Sequence, residues 1–231
     1  MDVLVVGATR GTGLAVTKRL VAEGHTVTAF GRTARSVFGP DGGALAEIDG
    51  PGTLRTVDGD VLDRDAVHKA VSGQDAVIVT LGISDNPIKV QWLRRATTAM
   101  DVRSLGTAVV MDSMRLNGVR RLLVQTTYGL GDQRKNLSFS WKLTFRLVLA
   151  PQIRDSERQE HAVRTSGLDW TLIHPVSLHD DEELTGPARV TTDGAISTFK
   201  VARAQVARAT VDALGDPATI GATLSVSTGQ S

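Results

Sequence analysis

The sequence predicts an α/β fold in which a parallel sheet is covered by helices on both faces. Segments typical of strands alternate with segments typical of helices along most of the 231-residue chain. The strand segments are nearly continuous apolar runs, a pattern typical of strands buried on both sides. A glycine-rich turn between the first strand and the first helix makes the prediction more specific.

That turn follows the apolar run Val3–Val6 and contains Gly7, Gly11 and Gly13, after which a helical segment, Leu14–Glu23, begins. Glycines permit a tight turn and the close approach of a pyrophosphate, whose charge meets free N–H groups at the helix N-terminus. An ordinary glycine-rich turn is the alternative. The position between a strand and a helix favours dinucleotide binding, and hence a Rossmann-like, doubly wound sheet.

The remaining elements follow from periodicity and from helix and strand stop signals. We expect further strands at Thr26–Phe30, Thr53–Val57, Ala76–Leu81, Arg121–Thr126, Trp170–Ile173, Ala188–Thr192 and Thr223–Ser227. Helical patterns cover Asp63–Ser72, Trp92–Asn117, Asp155–Ser166 and Arg203–Leu214, and Val176–Gly186 is expected to be a loop. The prediction is one domain over residues 1–231, with substrate-side elements mainly at 129–155 and 174–200.

Composition narrows the class of ligand. The formal net charge of +1 gives no reason to expect nucleic acid or an anionic membrane as a partner. There are no cysteines, which excludes disulfides and thiolate chemistry and favours the cytoplasm. No apolar run reaches the ~18 residues of a membrane span, and the start of the chain does not resemble a signal peptide. We expect a small-molecule partner and a monomer or small homo-oligomer.

The end of the second predicted strand indicates which dinucleotide binds. A carboxylate there would hold the ribose diol of NAD, but none is present. Arg32 and Arg35 follow the strand, and Arg10 lies in the glycine turn. Guanidinium groups suit a 2′-phosphate, so NADP(H) is expected, although each arginine alone could be a solvated loop residue. Asp60 and Val61 are placed to meet the adenine, with Asp60 as a helix N-cap the alternative.

Several motifs together resemble one family. These are Gly7-Ala-Thr-Arg-Gly-Thr-Gly13, Gly59-Asp-Val-Leu62, Gly73-Gln-Asp-Ala-Val-Ile-Val79 and Ser166-Gly-Leu-Asp-Trp-Thr171 running up to His174-Pro175. The chain resembles atypical short-chain dehydrogenases/reductases, and within them the NmrA-like NAD(P)-binding group related to biliverdin reductase B (flavin reductase). Two positions depart from the group's pattern: Arg10 replaces a glycine, and His174 precedes Pro175 where relatives carry arginine.

The resemblance implies a set of cofactor contacts. Matching motif positions are Gly7, Thr9, Arg10, Gly11, Thr12, Arg32, Asp60, Val61, Leu81 and Gly82. The expected set is completed by Gly13, Arg35, Thr126 and Pro175.

Candidate catalytic groups are few. Many short-chain dehydrogenases use a tyrosine with a lysine four residues on, but the only tyrosine, Tyr128, is followed at that distance by Asp132. Thr127 is the candidate for orienting the substrate or the nicotinamide, where resembling reductases carry a Thr-Ser pair; threonines that merely finish a strand are the alternative. Tyr128 is an optional donor. His174 is a candidate donor to a substrate oxygen or a structural histidine.

Other sites are considered and set aside. The cluster His179–Glu183 has no second group of ligands to make a metal site, so none is expected. Glu160, not His161, aligns with a histidine near the active site of the biliverdin reductase relative, so no imidazole is carried over. The aromatic stretch Phe139–Phe145 is a possible wall of the substrate pocket, with a helix packed on the core as the alternative.

Without a dedicated acid, the easiest hydride acceptors are planar conjugated molecules such as flavins, quinones or tetrapyrroles. The expected function is therefore an NADPH-dependent oxidoreductase acting on such an acceptor. A non-catalytic NADP(H)-binding redox sensor is the alternative. An epimerase or dehydratase ranks last because it needs the missing tyrosine-lysine pair.

Overall fold

Strands and helices alternate along the part of the chain that the computed structural model describes, residues 1–39, 48–82, 101–130, 150–180 and 186–229. The strands are β1 Asp2–Val6, β2 Thr26–Gly31, β3 Thr53–Asp58, β4 Ala76–Val79, β5 Arg121–Gln125, β6 Asp169–Pro175, β7 Ser177–His179, β8 Ala188–Thr191, β9 Lys200–Ala202 and β10 Ala222–Thr228. The helices are α1 Gly11–Ala22, α2 Ala34–Phe38, α3 Arg64–Val71, α4 Val102–Asn117, α5 Ala150–Arg164 and α6 Arg203–Gly215, with a 3₁₀ turn at Pro217–Thr219.

Eight strands form one sheet in the order β3-β2-β1-β4-β5-β6-β10-β8. Neighbouring strands run parallel except for β8, which pairs antiparallel with β10 at one edge. The first six strands have the 3-2-1-4-5-6 order of dinucleotide-binding folds, in which the strand order reverses between β1 and β4. The predicted Rossmann-like fold is confirmed.

The sheet is buried on both faces because its strands alternate apolar side chains between two layers of helices. On one face, Val3 and Val5 pack in a core with Val16 of α1 and Val206 of α6. On the other face, Leu4 and Val6 join a core with side chains of α3, α4 and α5: Val67, Val110, Met114 and Val163. Opposite faces of the sheet therefore carry different helices, as a doubly wound topology requires.

The structure differs from the predicted elements in the second half of the chain. Part of the segment expected to be a loop, Val176–Gly186, forms β7, which pairs in parallel with β9 in a separate two-stranded sheet. Strands of three residues are too short for periodicity to reveal them. The first part of the predicted helix 92–117, residues 92–100, lies outside the described residues, as does the aromatic stretch Phe139–Phe145.

Buried polar contacts fix helix α5 against α4 in addition to their shared apolar core. The Asp155 carboxylate accepts hydrogen bonds from the backbone N–H groups of Arg103 (3.1 Å) and Ser104 (3.2 Å), at the N-terminus of α4. Gln159 donates to the Thr107 hydroxyl at 2.8 Å. A carboxylate at a helix N-terminus satisfies free N–H groups and the helix dipole. These directional bonds set the register of α5, and so the position of its next residue, Glu160.

Arg121, at the start of β5, fastens the C-terminus of α6 to the sheet. Its guanidinium donates to the carbonyls of Ala213 and Leu214, the last of these at 3.3 Å. It also donates to the hydroxyls of Thr171 (2.8 Å) and Thr219 (2.9 Å). Desolvation by burial lowers the pKa of Arg121, partly opposed by nearby carboxylates. The side chain thus adds charged donors to the carbonyls at the C-terminus of α6 and ties them to β5 and β6.

Replacing Arg121 with methionine is expected to lower the free energy of unfolding by about 2–3 kcal/mol, because several charge-assisted hydrogen bonds to buried or half-buried carbonyls and hydroxyls are lost. Urea unfolding monitored by circular dichroism measures the change. The adjacent Arg120, which pairs with Asp169 at 2.9 Å in an exposed position, provides the control. If Arg120→Met and Arg121→Met shift the midpoint equally, the proposed role of Arg121 is incorrect.

Candidate functional site

The residues predicted to bind a ligand converge on one edge of the sheet. They follow the carboxyl ends of β1 to β6, which all lie at the same edge because these strands are parallel. Open α/β sheets bind ligands at this edge, where the strand order reverses. The described part of the chain therefore brings together two groups of predicted residues, one around the glycine turn and one at the ends of β5 and β6.

The glycine turn is closed so tightly that its key positions exclude side chains. A Cβ atom at Gly13 would lie 2.1 Å from the Gly7 carbonyl oxygen, and one at Gly7 would lie 2.9 Å from the Thr80 carbonyl oxygen. Gly7 and Gly11 also have φ angles of +85° and +54°, which favour glycine. All three glycines of the predicted motif are thus required by the backbone path.

Thr80, at the end of β4, holds this turn in place and was not identified from the sequence. Its backbone N–H donates to the Val6 carbonyl at 2.9 Å. Its hydroxyl donates to the same carbonyl at 3.0 Å and lies 3.4 Å from the Gly7 carbonyl. A threonine after an apolar strand carries no distinguishing signal, because its partners are more than 70 residues away in the sequence.

The N-terminus of α1 is left open toward the crevice. Arg10 occupies the N-cap position without a side-chain capping bond, and the first turn contains no acidic residue. Uncapped N–H groups and the positive end of the helix dipole suit an anionic group such as a phosphate. The glycine cradle and the open helix end together fit a dinucleotide pyrophosphate.

The arginines predicted at the end of β2 have different surroundings. Arg35 donates its backbone N–H to Asp58 at 2.9 Å, and its Nε lies 4.0 Å from the same carboxylate. Arg32 is exposed and forms no ion pair with any described residue, and Arg10 is exposed in the turn. Among the described residues, Arg35 therefore has a carboxylate neighbour within ion-pair distance and Arg32 has none.

The residues predicted to meet the adenine lie where α4 approaches the sheet. A Cβ at Gly106 of α4 would lie 2.7 Å from a methyl group of Val61 and 3.0 Å from one of Leu81, so this glycine lets the helix approach both side chains. Asp60 accepts a hydrogen bond from the Leu62 backbone N–H at 2.9 Å. The alternative of Asp60 as the N-cap of α3 is wrong. Asp63 caps that helix, because its carboxylate accepts from Asp65 and Ala66.

At the other end of the crevice, Glu160 joins two predicted residues in a buried cluster. The Thr126 hydroxyl donates to Glu160 Oε1 at 2.7 Å, and His174 Nε2 lies 2.7 Å from the same oxygen. Arg164 lies 3.5 Å from the other oxygen. His174 is only 1% exposed and Glu160 6%, so the cluster is shielded from solvent.

The charge state of Glu160 follows from these neighbours. Burial opposes its ionisation, but the hydrogen bonds and charge of His174, the Thr126 hydroxyl and the Arg164 charge outweigh that effect and lower the pKa of Glu160. The cluster is therefore built around a buried carboxylate. Position 160 was expected to lack a nearby imidazole of its own, and the structure brings the His174 ring to it from β6.

Thr127, Tyr128 and Pro175 complete the group at the ends of β5 and β6. Tyr128 is buried, and its hydroxyl donates to the Gly194 carbonyl at 2.9 Å. Its backbone N–H donates to the Pro175 carbonyl at 3.0 Å. Thr127 is only partly buried between its two buried neighbours. The Tyr128 hydroxyl is thus engaged by the backbone, and Thr127 is the more accessible of the two candidates.

The described residues contain no group of three histidine, cysteine or acidic side chains arranged to hold a metal ion. His179 lies in β7, and Asp180 pairs with Arg203 at 2.6 Å. The rest of the acidic run, residues 181–183, lies outside the described residues. No helix in the described ranges has the length and apolar character needed to cross a bilayer.

Comparison with protein families gives one match over most of the chain. A family model described as NAD(P)H-binding matches residues 7–217, which include every element from the glycine turn to the end of α6. A curated relative, sterol demethylase protein B from Methylococcus capsulatus, is 27% identical over 186 residues, covering 77% of this chain and 52% of the relative. The chain thus spans about half the length of that relative.

Solved structures share the whole fold at low sequence identity. ChuY, an anaerobillin reductase from Escherichia coli, superposes with a TM-score of 0.74 at 24% identity, covering 100% of this chain and 98% of ChuY. A short-chain dehydrogenase/reductase from Veillonella parvula, solved in complex with NADP, gives a TM-score of 0.74 at 18% identity over 98% of this chain and 93% of its own. At these identities the likeness concerns the fold.

The buried carboxylate predicts a specific dependence of stability on pH. Because the folded-state pKa of Glu160 is lowered, its contribution to stability is complete above its unfolded pKa of about 4.3 and is lost as pH falls through the folded-state value. The stability difference between the wild type and Glu160→Gln is therefore expected to be largest at pH 5–7 and to shrink toward pH 3. Urea unfolding across this range measures it.

Glu157→Gln is the control, since Glu157 is an exposed carboxylate on the same helix. A difference between the wild type and Glu160→Gln that stays constant from pH 7 to pH 3 would contradict the ionised state of Glu160.

Proposed function

The chain belongs to the NAD(P)H-binding family, and from that membership we propose that it is an NADPH-dependent reductase of a planar, conjugated acceptor such as a flavin, a quinone or a tetrapyrrole. The observation that carries the proposal is the closed glycine cradle at the open end of α1, with the exposed Arg32, which pairs with no carboxylate among the described residues, after the next strand. The folds of ChuY, a reductase, and of the NADP-bound Veillonella protein are consistent with this assignment.

Separate groups of residues would hold the pyrophosphate, the adenine and the nicotinamide of the cofactor. Backbone N–H groups of the turn from Thr9 to Gly13 would meet the pyrophosphate. Asp60, Val61 and Leu81 would surround the adenine, and Gly82 would line the passage toward the nicotinamide. Thr126 and Pro175, at the ends of β5 and β6, would lie at the nicotinamide end. These roles follow from the arrangement of strand ends in this fold.

NADP rather than NAD is favoured by charge. No carboxylate follows β2, where one would hold the ribose diol of NAD, and the nearest one on β3, Asp58, is engaged with Arg35. The Arg32 guanidinium is exposed and suited to bidentate contact with a 2′-phosphate. Arg10, in the glycine turn, adds a second positive charge to the site.

When bound, the cofactor supplies the hydride. The protein contributes alignment and exclusion of water, since the Tyr-x-x-x-Lys pair is absent from the sequence and the Tyr128 hydroxyl already donates to Gly194. Thr127, which is partly exposed, would orient the acceptor or the carboxamide. The buried Thr126–Glu160–His174 cluster would fix the floor of the site. An acceptor whose reduced anion takes its proton from water needs no further acid.

The direct test is to measure NADPH consumption by the purified protein with a panel of flavins, quinones and linear tetrapyrroles, while NADPH binding is measured by calorimetry. The expected result is tight binding of NADPH and turnover with at least one acceptor. Tight binding of NADPH without turnover would contradict the proposed reductase activity and favour the alternative, a non-catalytic sensor of the NADP(H) ratio.

Arg32→Ala is expected to weaken NADPH binding by about tenfold or more and to leave NADH binding nearly unchanged, because only NADPH carries the 2′-phosphate. Calorimetric dissociation constants for both cofactors give the comparison. Arg189→Ala, an exposed arginine on β8 at the far edge of the sheet, is the matched control. Equal losses for NADPH and NADH in Arg32→Ala would contradict the assignment of the 2′-phosphate to Arg32.

A further inference from the structure

A second cation lies beside the glycine turn and comes from the distant end of the chain. Arg203 is the first residue of α6, and α6 packs next to α1 on the same face of the sheet. The Nε atom of Arg203 lies 3.4 Å from the position that a Cβ would occupy at Gly11, and its Cδ lies 3.8 Å from that position. The guanidinium is therefore next to the first residue of α1, where the turn opens toward the crevice.

The structure pairs this guanidinium with a carboxylate from the β7–β9 sheet. Arg203 and Asp180 are joined at 2.6 Å. The register of that sheet brings them together, since Ser177 pairs with Lys200 and His179 pairs with Ala202. Asp180 directly follows β7, and Arg203 directly follows β9. The pairing of the two strands thus places both charged groups beside the turn. Val201 and Ala202, which precede Arg203, are buried and hold its backbone in position.

The two partners differ sharply in exposure. The Asp180 side chain is 82% exposed, whereas that of Arg203 is 27% exposed. An ion pair with one solvated partner contributes little to stability and is readily exchanged. A cation that is largely shielded, and that faces an open helix N-terminus, favours an anion with more charge and better geometry than a single solvated carboxylate.

We propose that Arg203 binds the pyrophosphate of the dinucleotide, and that Asp180 is the internal anion that the pyrophosphate displaces from the guanidinium. This inference rests on the proposed cofactor site at the glycine turn. It assigns separate phosphates to separate arginines: Arg32 recognises the 2′-phosphate, and Arg203 recognises the pyrophosphate common to NADPH and NADH. Asp180 then lowers the affinity for both cofactors by competing for Arg203.

The test compares dissociation constants from calorimetry for NADPH, NADH and adenosine 2′-phosphate, which lacks the pyrophosphate. Arg203→Gln is expected to weaken NADPH and NADH by a similar factor of about ten or more, and to leave adenosine 2′-phosphate unchanged. Asp180→Asn is expected to tighten both dinucleotides about two- to fivefold. In the Arg203→Gln background, Asp180→Asn is expected to have no effect.

The chain offers matched controls on the same helix, because Arg208 and Asp212 of α6 form an exposed pair at 3.9 Å. Arg208→Gln and Asp212→Asn are expected to leave all three constants unchanged. Circular dichroism melts verify folding, and Asp180→Asn tests the exchange even if Arg203→Gln is unstable.

The proposal is overturned if Arg203→Gln binds both dinucleotides as tightly as the wild type, or if Asp180→Asn leaves their affinity unchanged or weakens it. Failure of the wild type to bind either dinucleotide would instead overturn the proposed cofactor site.

Discussion

The close approach of Gly7 and Gly13 is the constraint on which the rest of the site depends. The position of a Cβ on Gly13 lies 2.1 Å from the Gly7 carbonyl oxygen, far inside any van der Waals contact, so the first strand and the first helix meet only through glycine. Thr80 fastens the turn to β4 with its hydroxyl and its backbone N–H. Since the turn sets the direction of α1, it also sets where the open helix end points and which strand ends surround it.

Charge is concentrated around this turn although the chain as a whole is nearly neutral, with a formal net charge of +1. Arg10 lies in the turn itself, Arg32 follows β2, and Arg203 begins α6 beside Gly11. At the other end of the crevice the buried group is an anion, Glu160, whose pKa is lowered by His174, Thr126 and Arg164 against the effect of burial. The crevice is thus positive where phosphates would bind and holds a buried carboxylate near the ends of β5 and β6.

The sequence predicts those features that depend on neighbours along the chain. Apolar runs and the spacing of glycines identify the strands, the turn and the parallel sheet, because buried strands and tight turns place strong demands on single residues. The helix before β6 is also visible from its periodicity. The boundaries of elements are predicted less accurately: α1 begins at Gly11, three residues before the apolar pattern starts.

Features built from distant segments could not be predicted in this way. The hydroxyl of Thr80 meets the turn across 74 residues, and Glu160 meets Thr126 across 34. Both contacts depend on which strands become neighbours in the sheet, and no local sequence pattern indicates the order of the strands. The pairing of β7 with β9 is a similar case, since strands of three residues are too short to show a repeating pattern, and this pairing brings Asp180 to Arg203. Asp63 rather than Asp60 caps α3 because the helix starts later than the strand ending at Asp58 suggests.

The central claim is that the glycine turn and the arginine after β2 together select the 2′-phosphorylated dinucleotide. Titration of the wild-type protein with NADPH and with NADH, followed by calorimetry at one ionic strength, tests it most directly. The account predicts that NADPH binds at least about tenfold more tightly than NADH. Equal affinities, or a preference for NADH, would contradict it.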